Sequence, residues 1–275
     1  LPRSVIFVQR CKADFRVRRS EVMECGAHMQ LQLCSWPEVE CYLEKSTTII
    51  VPIGSAEQHG PIGLIGTDAI CPEVVARGVA EQTVTLVAPT LSLGMAQHHL
   101  AFPGSIALRP STLMALINDV VRSLLRHGFD RIYFLNGHGG NIATVTAAFS
   151  EIWADASFAG ESRPAPRLRL YNWWSGERVR GLSRELFGGA EGSHATPSEV
   201  SLSYYAYPQA VKQAPLSPKV APVGAIRDAA DYRRQFADGR IGSDPSLASV
   251  EHGERLYHAA VADVGEDLRR FGSTD

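Results

Sequence analysis

Several kinds of sequence signal are missing from this chain of 275 residues. No stretch approaches the ~20 consecutive apolar residues that a membrane-spanning helix requires. No long basic run follows residue 20, and the net charge is only −2, so the chain lacks an electrostatic footprint for nucleic acid or for an anionic membrane. These absences predict a soluble protein that acts on small molecules, with neither a nucleic-acid nor a membrane partner.

Paired cysteines are also missing. The five cysteines are an odd number, none of them has CxxC spacing, and all lie within the first 71 residues. This pattern favours reduced thiols over a disulfide framework or a zinc finger, and it predicts a cytoplasmic protein. The chain lacks a GxSxG elbow, and Cys71 lies within a predicted helix, so a serine or cysteine hydrolase is disfavoured.

The first 28 residues differ from the rest. They carry six basic side chains without clear periodicity and lack the apolar core of a secretory signal. We interpret residues 1–28 as a disordered leader or an over-extended start of translation, with a short basic arm as the alternative. Residues 29–275 are expected to form one domain, which is long enough to bury a sizeable core.

From residue 29 onward, short apolar and β-branched runs alternate with amphipathic segments. Strands are predicted at residues 47–53, 83–88, 131–135 and 167–171. Helices are predicted at residues 35–45, 68–81, 111–127, 141–154 and about 245–271. This alternation indicates an α/β protein with a parallel or mostly parallel sheet that is covered on both faces. In such sheets, ligands bind beyond the carboxyl ends of the strands.

The loop after the first predicted strand is rich in glycine and carries Glu57, His59 and Asp68. Oxygen and nitrogen donors together suit a divalent transition metal such as zinc, manganese or iron, and they argue against calcium, which prefers oxygen alone. The alternative is that Asp68 only caps its helix, Glu57 is solvated and His59 is incidental.

A second candidate, His138, follows the strand at 131–135 within the segment NGHGGN. A histidine surrounded by three glycines and two asparagines is poorly explained by a packing role. The glycines instead allow another group to approach the histidine closely. Such a turn could cradle a phosphate instead, but it lacks the GxGxxG spacing and the Walker lysine.

Further candidates lie in three other segments. EGSHATPSEVS places His194 and Glu199 five residues apart, so that both could face one site, although Glu199 could equally be a surface residue. The adjacent histidines His98 and His99 predict little by themselves. Trp173 and Trp174 follow the last predicted strand and either wall a pocket or belong to the core.

Together these segments resemble the creatininase (creatinine amidohydrolase) family. The matching motifs are, in chain order, GSAEQHG with the following GTD, HHLAFPGS, NGHGGN, EGSHATPSEVS and DGRIGSDPSLAS. Several spaced motifs in the right order are far more specific than any one of them. The resemblance implies a three-layer α-β-α sandwich with a mostly parallel central sheet, and two divalent metal ions per chain. Zinc is the first expectation, with manganese or iron as alternatives, and the resemblance also implies a homo-oligomer, expected to be a hexamer.

The resemblance also implies the metal ligands. Glu57 and His138 would bind one metal, His59 would bind the second, and Asp68 would bridge them. Creatininase proper supplies another carboxylate from the position two after the histidine of its Asn-Gly-His motif, where this chain has a glycine. Glu199 is then the expected remaining ligand, since many relatives place a glutamate there. This departure moves the expected substrate away from creatinine.

The expected mechanism follows from a metal pair, because a water or hydroxide that bridges two ions is deprotonated near neutral pH while an ion polarises the amide carbonyl. His194 and Glu199 are the expected catalytic residues, with His194 protonating the leaving nitrogen. His99, Trp173 and Trp174 are expected to contact the substrate. We expect an amidohydrolase for a non-peptide amide or formamide, cyclic or linear. The alternatives are a peptidase that trims a modified peptide, creatinine amidohydrolase itself, and a catalytically silent scaffold.

Overall fold

The computed structural model describes residues 29–160 and 164–273, so the interpretation of residues 1–28 lies outside the described residues. Within the described part, a single parallel sheet has the strand order β2-β1-β3-β4. Its strands are β1 (Thr48–Ile53), β2 (Leu86–Val87), β3 (Arg131–Asn136) and β4 (Arg167–Asn172).

Eight α-helices accompany the sheet in the described ranges. They are α1 (Trp36–Leu43), α2 (Thr67–Thr83), α3 (Pro110–His127), α4 (Asn141–Ala159), α5 (Glu177–Phe187), α6 (Pro197–Ala206), α7 (Ala229–Gln235) and α8 (Val250–Ser273). None of the described helices is both long and apolar enough to cross a membrane.

Strand β1 divides the core into two layers. Ile50 packs into one hydrophobic cluster with α2, α5, α6 and α8, whereas Ile49 and Val51 pack into a second cluster with α1, α3 and α4. Because successive strand residues face opposite sides of a sheet, an apolar run such as this one is buried only if helices cover both faces. The predicted three-layer α-β-α sandwich is confirmed.

Helix α3 illustrates how the sequence pattern produces this packing. Its buried side chains lie three or four residues apart on one face: Leu113, Ile117, Val121 and Leu124. Burial of each such side chain contributes about 1.5–3 kcal/mol. The helix ends at Gly128, whose φ of 108° suits glycine. It begins at Pro110 rather than at Ser111, because proline fits the first helical position.

Three predicted element boundaries differ by several residues, and one of them is the end of α4, which continues to Ala159 rather than 154. The strand expected at 83–88 is reduced to β2, because α2 continues to Thr83 and Val84 turns the chain with a φ of 52°. The C-terminal helix begins at Val250 rather than near residue 245, after a short 3-10 turn at Pro245–Leu247. These changes lengthen, shorten or shift an element without altering the order of the layers.

Two glycines allow α2 to meet the ends of the strands. A Cβ atom at Gly54, just after β1, would lie 2.1 Å from the carbonyl oxygen of Asp68, and one at Gly137, just after β3, would lie 1.9 Å from the same oxygen. Any larger residue would push the first turn of α2 away from the sheet. Glycine at these positions therefore brings Asp68 to the carboxyl edge of the sheet.

Candidate metal centre

The candidate residues meet at the carboxyl edge of the sheet. Glu57 and His59 lie in the loop after β1, Asp68 lies in the first turn of α2, and His138 lies two residues after β3. Because β1 and β3 are parallel neighbours, the loops that follow them open side by side. The structure thus brings together the four residues first expected to be ligands, and their roles as ligands stay predictions.

Glu57 is the most deeply placed carboxylate of this cluster. Its side chain has no exposed surface, and neither carboxylate oxygen has a hydrogen-bond partner within the described part of the chain. His99 Nε2 lies 3.0 Å from Oε1 and His138 Nε2 lies 3.3 Å from Oε2, within ion-pair distance but without hydrogen-bond geometry. Burial raises the pKa of Glu57. A carboxylate buried in this way requires a compensating positive charge.

Asp68 lies between two imidazoles. Its Oδ1 is 3.1 Å from His59 Nε2, and its Oδ2 is 3.0 Å from His138 Nδ1. Burial alone would raise the pKa of Asp68, but the two histidines outweigh burial and hold that pKa far below its ordinary value. Each carboxylate oxygen of Asp68 therefore faces a different imidazole, and its role as a bridging ligand stays a prediction.

The two histidines respond to the surrounding carboxylates. Burial lowers the pKa of His59, but Asp68, Glu199 and Glu57 outweigh burial and raise it to about 10. Burial also lowers the pKa of His138, but Glu57 and Asp68 outweigh burial and raise it to about 9. The carboxylates therefore create a strong demand for positive charge between them, which either protons or divalent cations can meet.

Glu199 belongs both to this cluster and to the start of α6. Its Oε1 accepts a hydrogen bond from the Thr196 backbone N–H at 2.6 Å, and Thr196 Oγ1 accepts one from the Glu199 N–H at 3.2 Å. This reciprocal capping box, with Pro197 in the first turn, fixes the carboxylate. The same Oε1 lies 3.9 Å from His59 Nε2, and burial raises the pKa of Glu199 to about 7.

Among the described residues, the ligand atoms of seven side chains form three overlapping groups. Within each group the atoms lie no more than 4.8 Å from one another. The groups are Glu57–Asp68–His138, His59–His194–Glu199 and Glu57–His99–His194. The first group could hold one cation, and His59 and Glu199 of the second could hold another. Asp68 lies next to both, because its Oδ1 is 3.1 Å from His59 Nε2.

Gln58 determines how His99 is oriented. The Gln58 Oε1 accepts a hydrogen bond from Gly60 N–H at 2.8 Å, which fixes the amide, so that Nε2 donates to His99 Nδ1 at 2.9 Å and to the Gly239 carbonyl at 2.9 Å. We assign the neutral His99 proton to Nε2, since Nδ1 accepts. His99 Nε2 lies 3.0 Å from Glu57 Oε1, so this edge of the ring lies against the carboxylate rather than open space. The predicted substrate contact of His99 stays a prediction.

His194 presents its Nδ1 atom to the cluster. Its Nε2 donates to the Gln58 carbonyl at 2.7 Å, which leaves Nδ1 unprotonated and 3.7 Å from Glu57 Oε1. The Gln58 Nε2 lies 3.0 Å from the same His194 Nε2, and because both atoms then carry hydrogen, this contact is not a hydrogen bond. Burial, followed by the nearby histidines, lowers the pKa of His194 well below its ordinary value. His194 is thus neutral at neutral pH, with its proton on Nε2.

A cavity of about 660 Å³ opens over the cluster. Glu57, Asp68, His138, His194 and Glu199 border it. Its apolar and aromatic wall includes Trp173, Trp174, Ile226, Tyr232 and Ile241. The two tryptophan rings meet edge to face at 6.1 Å.

The two alternatives for the tryptophans are both realised. Trp173 is 1% exposed and belongs to the core cluster beneath α8, and Trp174 packs against the same cluster, yet both border the cavity. Their contact with a substrate stays a prediction.

Sequence reasoning missed two residues of this site. Gln58 lies inside the GSAEQHG motif, so its position could have drawn notice, but a glutamine is neither a strong ligand nor an acid or base. Tyr232 lies in α7, 174 residues away from Gln58, and donates to the Gly239 carbonyl at 2.7 Å. No local pattern relates that tyrosine to the loop after β1.

Comparisons with known proteins agree with this geometry. The family model described as Creatininase (creatinine amidohydrolase) matches residues 32–268. The chain is 35% identical to the mycofactocin precursor peptide peptidase of Mycobacterium tuberculosis (strain ATCC 25618 / H37Rv), over 82% of this chain and 86% of that protein. It is 26% identical to the creatinine amidohydrolase of Pseudomonas putida, over 86% and 94%. The solved structure named Creatininase Mn has a TM-score of 0.78 and 25% identity, covering 90% of this chain and 100% of that one.

Proposed function

The chain belongs to the creatininase family of hydrolases, and on that premise we propose that it is a metal-dependent amidohydrolase that cleaves a carbon–nitrogen bond in a small molecule. The observation that carries the proposal is the carboxylate of Glu57, which is fully buried, has no hydrogen-bond partner within the described residues and is surrounded by imidazoles. Buried charges in proteins are paired or coordinate metals.

The donor set fits two divalent cations. Glu57, Asp68 and His138 would hold one, whereas His59 and Glu199 would hold the other, with Asp68 shared. Mixed imidazole and carboxylate donors suit zinc first, and manganese or iron as alternatives.

Position 140 supports the assignment of Glu199 to this set. A Cβ atom at Gly140 would lie 2.4 Å from His138 Nε2 and 2.7 Å from the Met95 carbonyl oxygen, so this loop leaves no room for a carboxylate-bearing side chain unless it shifts. Glu199 reaches the cluster from the other side, at the start of α6, where the capping box holds it.

The cations would supply an activated water and a polarised amide carbonyl. The chain itself would move the protons. His194, held by the Gln58 carbonyl through Nε2, keeps Nδ1 free to accept a proton from the attacking water and then to deliver it to the leaving nitrogen. The aromatic wall would hold a planar amide and exclude water.

A peptide bond is the second candidate target. It is favoured by the 35% identity to a peptide peptidase. The cavity volume lies in the range of about 300–1,000 Å³ that holds drug-sized ligands, so it admits either target. Creatinine itself is disfavoured, since Gly140 stands where creatininase proper has a carboxylate. A screen of zinc-loaded and manganese-loaded protein against lactams, formamides, creatinine and short peptides separates these targets.

Metal analysis tests the proposal directly. Purified protein should contain about two divalent ions per chain, and Asp68→Asn should lower both metal content and hydrolysis. Asp267→Asn is the matched control, because Asp267 is also buried but binds Tyr133 and Arg169 away from the cavity. Full hydrolysis by metal-free protein, or a normal metal content in Asp68→Asn, would overturn the proposal.

A further inference from the structure

Helix α5 carries three arginines that differ in their partners. Arg178 donates to Asp263 Oδ1 at 2.8 Å and to Glu266 Oε2 at 3.0 Å, so it ties α5 to α8. Arg180 and Arg184 make no ion pair with any residue in the described ranges, although both border the cavity. Two of the three guanidinium groups therefore lie beside the candidate site without a counter-charge.

The spacing of these two arginines places them together. Residues four apart lie on the same face of a helix, where like charges repel and weaken the helix. Ser183, one residue before Arg184, also borders the cavity and offers a hydroxyl group. Two arginines at this spacing therefore destabilise the helix. On a cavity wall, however, they suit the binding of an anion, because guanidinium groups bind carboxylates through two parallel hydrogen bonds.

The rest of the cavity lining suggests how a ligand would lie. The carboxylate and imidazole cluster occupies one part of the lining, aromatic and aliphatic side chains such as Trp174 and Ile226 form another, and α5 contributes the cationic part. A ligand that matches all three has a scissile amide, an apolar body and an anionic group.

We propose that Arg180 and Arg184 form a carboxylate-binding subsite, and that the substrate is an amide that carries a free carboxylate, such as an N-acyl amino acid or the C-terminal end of a peptide. The proposal rests on the proposed function, because it places the carboxylate relative to an amide held at the metal cluster. It adds a substrate class that the cluster alone does not specify.

Binding of matched probes tests the subsite without relying on turnover. N-acetyl-L-phenylalanine and its carboxamide are titrated into zinc-loaded protein, followed by calorimetry and by tryptophan fluorescence. The wild type should bind the carboxylate at least about 10-fold more tightly than the carboxamide, because hydrogen bonds between charged groups are the stronger kind. The double variant Arg180→Gln/Arg184→Gln should lose this preference and leave carboxamide binding unchanged.

Arg178→Gln is the matched control, since it removes the same charge from the same helix outside the cavity. It should keep the wild-type preference for the carboxylate. The preference should also weaken as salt rises from about 0.05 M to about 0.5 M, because the two arginines are exposed and screening is stronger at high salt.

Three results would overturn the inference: no carboxylate preference in the wild type, an unchanged preference in the double variant, or equal losses in the double variant and Arg178→Gln. An unchanged preference is also what direct binding of the carboxylate to the metals would give. If the protein hydrolyses no amide yet shows arginine-dependent carboxylate binding, the proposed function fails and the subsite remains. If the protein does hydrolyse amides, an N-acyl amino acid and a tripeptide compared as substrates distinguish the two sources of the carboxylate.

Discussion

Alanine at position 137 tests how the site is built. A Cβ atom there would lie 1.9 Å from the carbonyl oxygen of Asp68 and 2.6 Å from Pro72 Cδ, whereas ordinary van der Waals contact begins near 3.4 Å. Gly137→Ala must therefore displace the first turn of α2 from the end of β3 by roughly 1.5 Å, assuming that the strand does not move. Asp68 is part of that turn and would move with it.

The expected cost follows from the nature of the clash. Overpacking by a single carbon costs about 1–3 kcal/mol, and more where the neighbour is backbone that cannot rotate away. A loss of about 3 kcal/mol would lower the Tm of a chain of this size by roughly 5–10 °C. Metal affinity should fall at least about 10-fold as well, because displacement of groups that position ligands has effects of that size.

Gly139→Ala is the control, since a Cβ atom at Gly139 would meet nothing within 4 Å although it lies one residue after His138. It should stay within about 0.5 kcal/mol of the wild type. Urea unfolding followed by circular dichroism measures stability, and competition with a fluorescent chelator measures zinc affinity. Wild-type stability and zinc affinity in Gly137→Ala would refute the idea that close approach of α2 creates the site.

Three further predictions concern the surroundings of the cluster. Gln58→Leu removes the bonds that fix His99 and should lower kcat more than metal content, measured by steady-state kinetics and metal analysis. Glu199→Gln should retain the α6 capping box but lose metal, whereas Thr196→Ala should cost about 1 kcal/mol of stability and keep metal. Burial raises the pKa of Glu191 to about 7, so the stability that the protonated carboxyl group contributes is present at pH 4.5 and is lost as pH rises through 7. Glutamine does not titrate, so the free energy of unfolding of Glu191→Gln, relative to wild type, should rise by up to about 3 kcal/mol between pH 4.5 and pH 8 in urea unfolding.

The sequence predicted the layers well because their signal is local. Strands β1 and β3 are short apolar runs, and α3 has buried residues at helical spacing. Helix α5 was missed although Val179, Leu182 and Leu186 lie at helical spacing, because it is short, contains Gly181 and is dominated by charged residues. Its arginines could not be recognised as cavity residues until the helix itself was placed.

The candidate ligands were found for a related reason. Glu57 and His138 lie in glycine-rich loops directly after predicted strands, so the rule for parallel sheets was sufficient to place them at one edge. The tautomer of His99 could not be predicted, because it depends on Gln58, Gly60 and a carbonyl group at Gly239, which come from distant parts of the chain. Such networks depend on tertiary packing and have no counterpart in local sequence.

Two departures from the pattern of creatininase proper have a common consequence. Gly140 leaves the β3 loop without a carboxylate, and both Gly139 and Gly140 border the cavity, so that side of the cluster is formed by backbone. We predict that Glu199, at the start of α6, supplies a carboxylate instead. A cluster approached over bare backbone admits a bulkier amide than one closed by a side chain, and an anionic group on such an amide could extend toward Arg180 and Arg184. Gly140→Ala, which would crowd the ring of the expected ligand His138, should lower metal content and impair large carboxylate-bearing substrates and formamides alike, whereas Gly139→Ala, whose Cβ atom would meet nothing within 4 Å, should impair the large substrates more than formamides.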